Sequence, residues 1–348
     1  MKAVKDLLLY QSPLLVLLLI IAGSCKEDFS SVVGPEVITG YVTDITDTSA
    51  KIEGNTNTSG GDHFVNRGIC WSNILPEPII NADDWYWEGW GSGNFTGYMD
   101  DLTPGTTYYV QAYASNSVGA GVGGAISFTT TGNITGPIEF NPALTYGEIT
   151  DIEGNNYKTI AIGAQAWMAE NLKTTKYNDG TDIPNITDLS EWIVLETPGY
   201  CWYVNDVKYK DPYGALYNWY AVNTGKLCPS GWRVPGDDDW RTLISYLGGD
   251  SAAAGHLREA GTAHWVHENS AVTNNSGFTL LPGGRHSWSD QQYFREMGYA
   301  AEFWSSNADL YDELFAISRR LSYRTDTAKL SYEVYSKKAG LSVRCMKN

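Results

Sequence analysis

Leu102-Thr103-Pro104-Gly105-Thr106-Thr107-Tyr108-Tyr109-Val110-Gln111-Ala112-Tyr113-Ala114-Ser115-Asn116 is the stretch that decides how the first half of the chain folds. Pro104-Gly105 is a turn pair, and the Thr, Tyr and Val residues that follow favour extended backbone. Leu102, Pro104, Thr106, Tyr108 and Val110 fall at every second position, the spacing of a strand with one buried face. Outward from it, alternating segments recur at residues 36–42, 49–54, 64–72, 108–114 and 125–129, each bounded by turn residues. That rhythm predicts an all-β sandwich over residues 35–131.

The corner at residues 102–110 resembles the one before strand F of fibronectin type III domains, which implies Tyr108 as the tyrosine-corner residue. Gly68-Ile69-Cys70-Trp71-Ser72 would then be strand C, with Trp71 in the core. This half carries no catalytic grouping, and the expectation is a spacer that holds the next domain away from a membrane. One segment does not suit a plain spacer. Asp83-Asp84-Trp85-Tyr86-Trp87-Glu88-Gly89-Trp90 places Trp85, Trp87 and Trp90 in a loop or short edge strand. Such rings can stack on sugars, or pack against the second domain and cover the sandwich edge. The second reading is preferred, because large exposed apolar patches are uncommon on monomers.

Residues 132–144 have turn composition and no period, so they read as a linker. The remainder, 145–348, carries in order Ile162-Gly163-Ala164-Gln165-Ala166-Trp167-Met168-Ala169-Glu170-Asn171-Leu172, Gly199-Tyr200-Cys201-Trp202-Tyr203, Leu227-Cys228-Pro229-Ser230-Gly231-Trp232-Arg233-Val234-Pro235, Leu281-Pro282-Gly283-Gly284-Arg285, Phe303-Trp304-Ser305-Ser306 and Leu341-Ser342-Val343-Arg344-Cys345. This series resembles the FISUMP domain, the major paralogous domain of Fibrobacter succinogenes. The resemblance implies an α+β domain related to the C-type-lectin-like fold, with adhesion or carbohydrate binding as its suspected role. The fold class is therefore multidomain, a fibronectin III-like sandwich followed by a C-type-lectin-like domain.

Within the second domain, Asp237, Asp238 and Asp239 are expected to cap a helix whose buried face is Trp240, Leu243, Ile244 and Leu247. Gly248-Gly249 would end it. The family resemblance implies a disulfide from Cys228 to Cys345, with Cys201 to Cys228 as the alternative. Cys70 and Cys201 would then be buried thiols.

At the amino end, Lys2 and Lys5 precede an apolar stretch and then Ala22-Gly23-Ser24-Cys25. That order is a secretory signal over residues 1–24. It resembles a bacterial lipobox, which implies lipidation of Cys25, and Lys26-Glu27-Asp28 resembles the export tag of Bacteroidetes surface lipoproteins. Residues 25–34 would be a tether to the outer membrane, with the protein facing outward.

A net charge of −16 over 348 residues excludes nucleic acid as a partner, because no basic patch exists to displace phosphate counterions. Chemistry is scarce. His264 and His267 lack a third ligand and a helical period, so they read as surface histidines and not as zinc ligands. The tripeptides that hold calcium in C-type lectins are missing, as is the close cysteine pair of formylglycine-generating enzymes. No metal, no cofactor and no enzyme activity are therefore expected. In the related folds the ligand face corresponds to residues 285–324, which singles out Trp288, Tyr293, Tyr311, Arg319, Tyr323 and Arg324 as candidate contacts. Strand alternation puts Arg320 with Arg324 on one face and Arg319 with Tyr323 on the other. The functional expectation is a lipid-anchored surface protein that binds glycan or a protein ligand without metal. The alternative is a structural accessory subunit of an outer-membrane complex.

Overall fold

The computed structural model describes residues 32–62, 65–80, 84–267, 271–287, 294–322 and 330–348. Its regular structure is mostly β, 40% strand against 12% helix.

The first domain packs two antiparallel sheets face to face. One has the order β1-β2-β5, with β1 at Glu36–Thr43, β2 at Ala50–Thr58 and β5 at Gly93–Met99. The other runs β4-β3-β6-β7, with β3 at Asn66–Ser72, β4 at Asp84–Trp90, β6 at Thr107–Ser115 and β7 at Ala120–Val122; β8, Ile126–Thr129, also pairs with β6. Ile52, Ile69, Trp71, Phe95, Met99, Val110 and Phe128 meet between them. The stretch at 102–116 behaves as its alternation demands. Tyr108 turns inward, stacks on Phe128 at 5.9 Å and accepts the Thr103 backbone N–H at 2.8 Å. Burial pushes the Tyr108 phenol up to about 12, which keeps it neutral.

The second domain is built on a five-stranded sheet. It contains β9 (Gly147–Thr150), β10 (Asn156–Ile162), β11 (Gln165–Met168), β14 (Trp232–Arg233) and β20 (Met346–Lys347) in the order β14-β20-β11-β10-β9. A three-stranded sheet follows from β17 (Ala300–Ala308), β18 (Phe315–Ser322) and β19 (Leu330–Ser336). Two hairpins complete it: β12 (Tyr200–Cys201) with β13 (Leu216–Tyr217), and β15 (Gly283–His286) with β16 (Phe294–Met297). The helix Asp237–Tyr246 lays Trp240, Leu243 and Ile244 into a core shared with Trp167, Phe278 and Phe303. Gly248 and Gly249 follow it with φ of +92° and +93°, a backbone that β-carbon-bearing residues resist.

Only one of the three aspartates caps as expected. Asp239 accepts the Gly236 N–H at 2.7 Å. Asp237 instead lies buried between Arg319 and Arg241. Cys228 and Cys345 are joined, with their Cα atoms 5.9 Å apart and 117 residues between them, while Cys70 and Cys201 are buried and outside any disulfide. Closing so long a loop contributes about 4 to 5 kcal/mol in the chain-entropy account.

The spacer expectation does not describe the junction, where the two domains are packed together. Ile74, Ile134 and Ile138 enter an aromatic cluster of Trp192, Tyr203, Tyr209, Tyr213 and Phe294. The Tyr299 hydroxyl donates to the Leu102 carbonyl and that of Tyr213 to the Ile134 carbonyl, each at 2.8 Å. The segment read as a linker is strapped down as well. His264, expected on the surface, is fully buried against Glu259 at 2.7 Å, and its other ring nitrogen faces the Gly136 carbonyl at 3.0 Å. Glu259 also accepts the Glu139 N–H at 2.8 Å. A short, unremarkable histidine segment thus became an anchor, because the linker supplied acceptors that local spacing could not reveal. His267 is exposed, as expected.

Candidate binding surface

The described arginines on the expected ligand face, Arg285, Arg295, Arg319 and Arg320, each pair with a carboxylate. Arg319 is 4% exposed and its guanidinium is spent on Asp237 and on the face of Tyr332, 5.4 Å away, so it does not reach an open surface. Arg320 points to the opposite face, as alternation requires. There Arg320 and Arg285 grip Glu302 at 2.9 and 2.6 Å and Glu296 at 2.5 and 3.2 Å. Glu302 is fully buried, and burial raises its pKa against the pull of Arg285 and Arg320. This network offsets local acid and fastens the β15–β16 hairpin to the three-stranded sheet. His286 belongs to the same hairpin. Its ring is wedged between Trp192 and Phe294, both 4.5 Å away, and burial drives its pKa down to about 3.

Tyr311 does stand open, 95% exposed on the turn between β17 and β18. Trp288, Tyr293, Tyr323 and Arg324 lie outside the described residues, as do Cys25, Lys26, Glu27 and Asp28. Among the described residues no group of three or more His, Cys, Asp or Glu could hold a metal ion, and no helix is long and apolar enough to cross a membrane.

The tryptophan segment departs from the preferred expectation. It does form an edge strand, β4, but the indoles are not covered: Trp85, Trp87 and Trp90 are 48, 50 and 63% exposed. Their cross-strand partners on β3 are Cys70, Gly68 and Asn66, alternate residues that all point away from the sandwich core. Ile69 and Trp71 take the inward positions between them. A register shift at Arg67 and Gly68 inserts one extra residue before Trp90. Without that bulge Trp90 would turn to the opposite face of β4 from Trp85 and Trp87; with it, all three share one face. Tyr86 faces inward and packs on the core. Gly68 is needed beneath them, since a β-carbon there would sit 2.0 Å from the Tyr86 carbonyl oxygen and 2.8 Å from the Tyr113 hydroxyl.

Trp87 and Trp90 meet edge to face, with ring centres 6.2 Å apart and planes at 80°. The acids beside them are neutralised. Glu88 accepts from Arg67 at 2.6 Å, and Asp84 pairs with Arg295 of β16 at 3.2 Å. The second contact crosses the domain junction, so the tryptophan strand adjoins the hairpin that the sequence singled out in the second domain. Alternation in the sequence could have placed Trp85 and Trp87 together; the bulge that recruits Trp90 depends on register and was not legible.

Fold and site together define a mostly β, two-domain protein that presents an aromatic surface beside its domain junction. The chain belongs to the Fibrobacter succinogenes major domain family, whose model matches residues 160–347, more than half of its length. No curated protein matches it. Its solved structural neighbours include fibronectin III domains. The sensor domain of the anti-sigma factor RsgI4 from Pseudobacteroides cellulosolvens is 16% identical over 35% of this chain and 98% of that one, with a TM-score of 0.22. The third fibronectin III domain of human KIAA0343 protein is 20% identical over 34% of this chain and 98% of its own, with a TM-score of 0.22.

Proposed function

We propose that this is a lipid-anchored protein of the bacterial outer membrane, facing outward, that binds glycans without metal. Anchoring rests on Cys25 and export on Lys26, Glu27 and Asp28. The observation that carries the binding reading is the shared open face of Trp85, Trp87 and Trp90 on a strand of a well-packed sandwich. Half-exposed indoles offer large rigid apolar faces at low entropic cost, which is what the apolar side of a sugar ring requires. The role is binding and not catalysis. The second domain is read as a relative of the C-type-lectin-like fold, supported by the Cys228–Cys345 bridge between the helix region and the strand at the end of the chain.

A glycan array probed with the chain from Lys26 onward tests this, in the presence and absence of chelator. Signal that survives chelation and falls with Trp87→Ala is expected. Trp288→Ala and Tyr323→Ala on the same array report whether the second domain contributes. Complete protection of the protein from protease on intact cells would sink the outward-facing assignment.

A specific observation favours a second reading, an accessory subunit of a surface complex. The β17–β18 turn projects Leu310, Tyr311 and Leu314, which are 89, 95 and 58% exposed. A silent array, together with an outer-membrane partner that co-purifies stably and is lost with Tyr311→Ala, selects it over glycan binding.

A further inference from the structure

We infer that the tryptophan strand takes an uncharged, soluble polysaccharide as a single chain, and neither a polyanionic glycan nor a flat crystalline face; this deepens, and rests on, the glycan reading above. Charge is the first argument. An acidic sugar needs an available cation, but Arg67, the guanidinium within the strand's reach, is used up by Glu88 at 2.6 Å and by the carbonyls of Ser92 and Gly93 at 2.9 and 3.3 Å. Arg295 at the other end faces Asp84. A chain of net charge −16 also repels a polyanion at long range.

Shape is the second argument. Trp85 and Trp87, two residues apart on a strand, stand about 7 Å from each other. Trp90 meets Trp87 at 80°, so these indoles are not coplanar and offer no flat shelf. A crystalline surface contacts coplanar rings; angled rings suit one chain that can bend around them. The third argument is polar. Asn66 lies directly across from Trp90, and its side-chain oxygen is buried without a hydrogen-bond partner. An unmade hydrogen bond of that kind is unfavourable, and a neutral hydroxyl entering beside Trp90 is the group that would satisfy it.

Affinity electrophoresis of the chain from residue 26 onward tests the inference. Gels containing hydroxyethyl cellulose, dextran or mannan supply neutral soluble chains, gels with polygalacturonate supply an acidic one, and sedimentation with microcrystalline cellulose supplies the flat face. Retardation by at least one neutral polymer is expected, with none by polygalacturonate and no sedimentation. Trp85→Ala and Trp87→Ala should each weaken retardation about tenfold. Trp87→Tyr, which keeps a ring, should stay within about threefold, as should Tyr41→Ala on β1 as an exposed aromatic control. Thermal melting of each variant verifies that it is folded. Retention only by polygalacturonate or only by cellulose, abolished by Trp87→Ala, overturns this inference and leaves glycan binding standing. Retention unmoved by both alanine variants also overturns it. Failure on every polysaccharide here and on the array overturns both.

Discussion

Arg344 shows how one residue organises the second core. It is fully buried, with no carboxylate bonded to it among the described residues; its guanidinium donates to the Asn171 side-chain oxygen at 2.6 and 3.2 Å and to the carbonyls of Met168, Phe278 and Thr279, while its plane lies over Phe278. Burial lowers its pKa to about 9, still protonated at neutral pH. Arg344→Met removes the donor fork and takes from the Asn171 side-chain oxygen the guanidinium that donates to it. Chemical denaturation should register a loss of about 3 kcal/mol or more, and Arg344→Lys should not restore it, because an ammonium cannot span the same acceptors. His286 supplies a pH dependence. Its pKa is about 3 when folded and 6.5 as a reference, so only the unfolded chain binds the proton between those values. Its contribution is therefore complete above pH 6.5 and is lost as pH falls toward 3. Melting temperature should decline across that window, and His286→Phe should flatten the decline. An unchanged slope in that variant would assign the acid sensitivity elsewhere.

At the scale of elements, the register of β3 against β4 carries the most information. The alternating segments at 36–42 and 108–114 were legible because one face of each is apolar, and a strand with that pattern has one way to bury itself. Helix Asp237–Tyr246 was legible for the same reason at a period of 3.6. Partnerships between distant elements were not. Asp237 looked like a cap because its neighbours are also acids; its burial is set by Arg319, 82 residues away. Asp237→Asn should cost about 3 kcal/mol, the scale for leaving a buried charge without its partner, whereas Arg241→Ala should cost well under 1 kcal/mol, since that partner is largely exposed. Equal losses in urea denaturation would show that Arg241, and not Arg319, holds the aspartate. Arg319 shows the same limit: a sequence displays a guanidinium group but not the carboxylate, here Asp237, that consumes it.

For the whole molecule, the strap between His264, Glu259, Gly136 and Glu139 decides whether two domains behave as two bodies. With it intact, calorimetry should record one unfolding transition. His264→Ala removes the ring that meets Glu259 at 2.7 Å and leaves that buried carboxyl with the Glu139 N–H, at a cost of about 1 to 3 kcal/mol. It should release the linker, split the transition in two, and speed hydrogen exchange at the amides of Gly136 and Glu139. A single, merely shifted transition would mean that the aromatic cluster around Tyr209 suffices to couple the domains.

The position of β4 also sets the path of mechanical load. If the chain is held at its amino end and its ligand pulls on Trp87, tension enters and leaves through the sandwich alone. The second domain, closed by its disulfide from Cys228 to Cys345, hangs beside that line and is never stretched. In that arrangement the load falls on the sandwich, whose strands carry no covalent crosslink among the described residues.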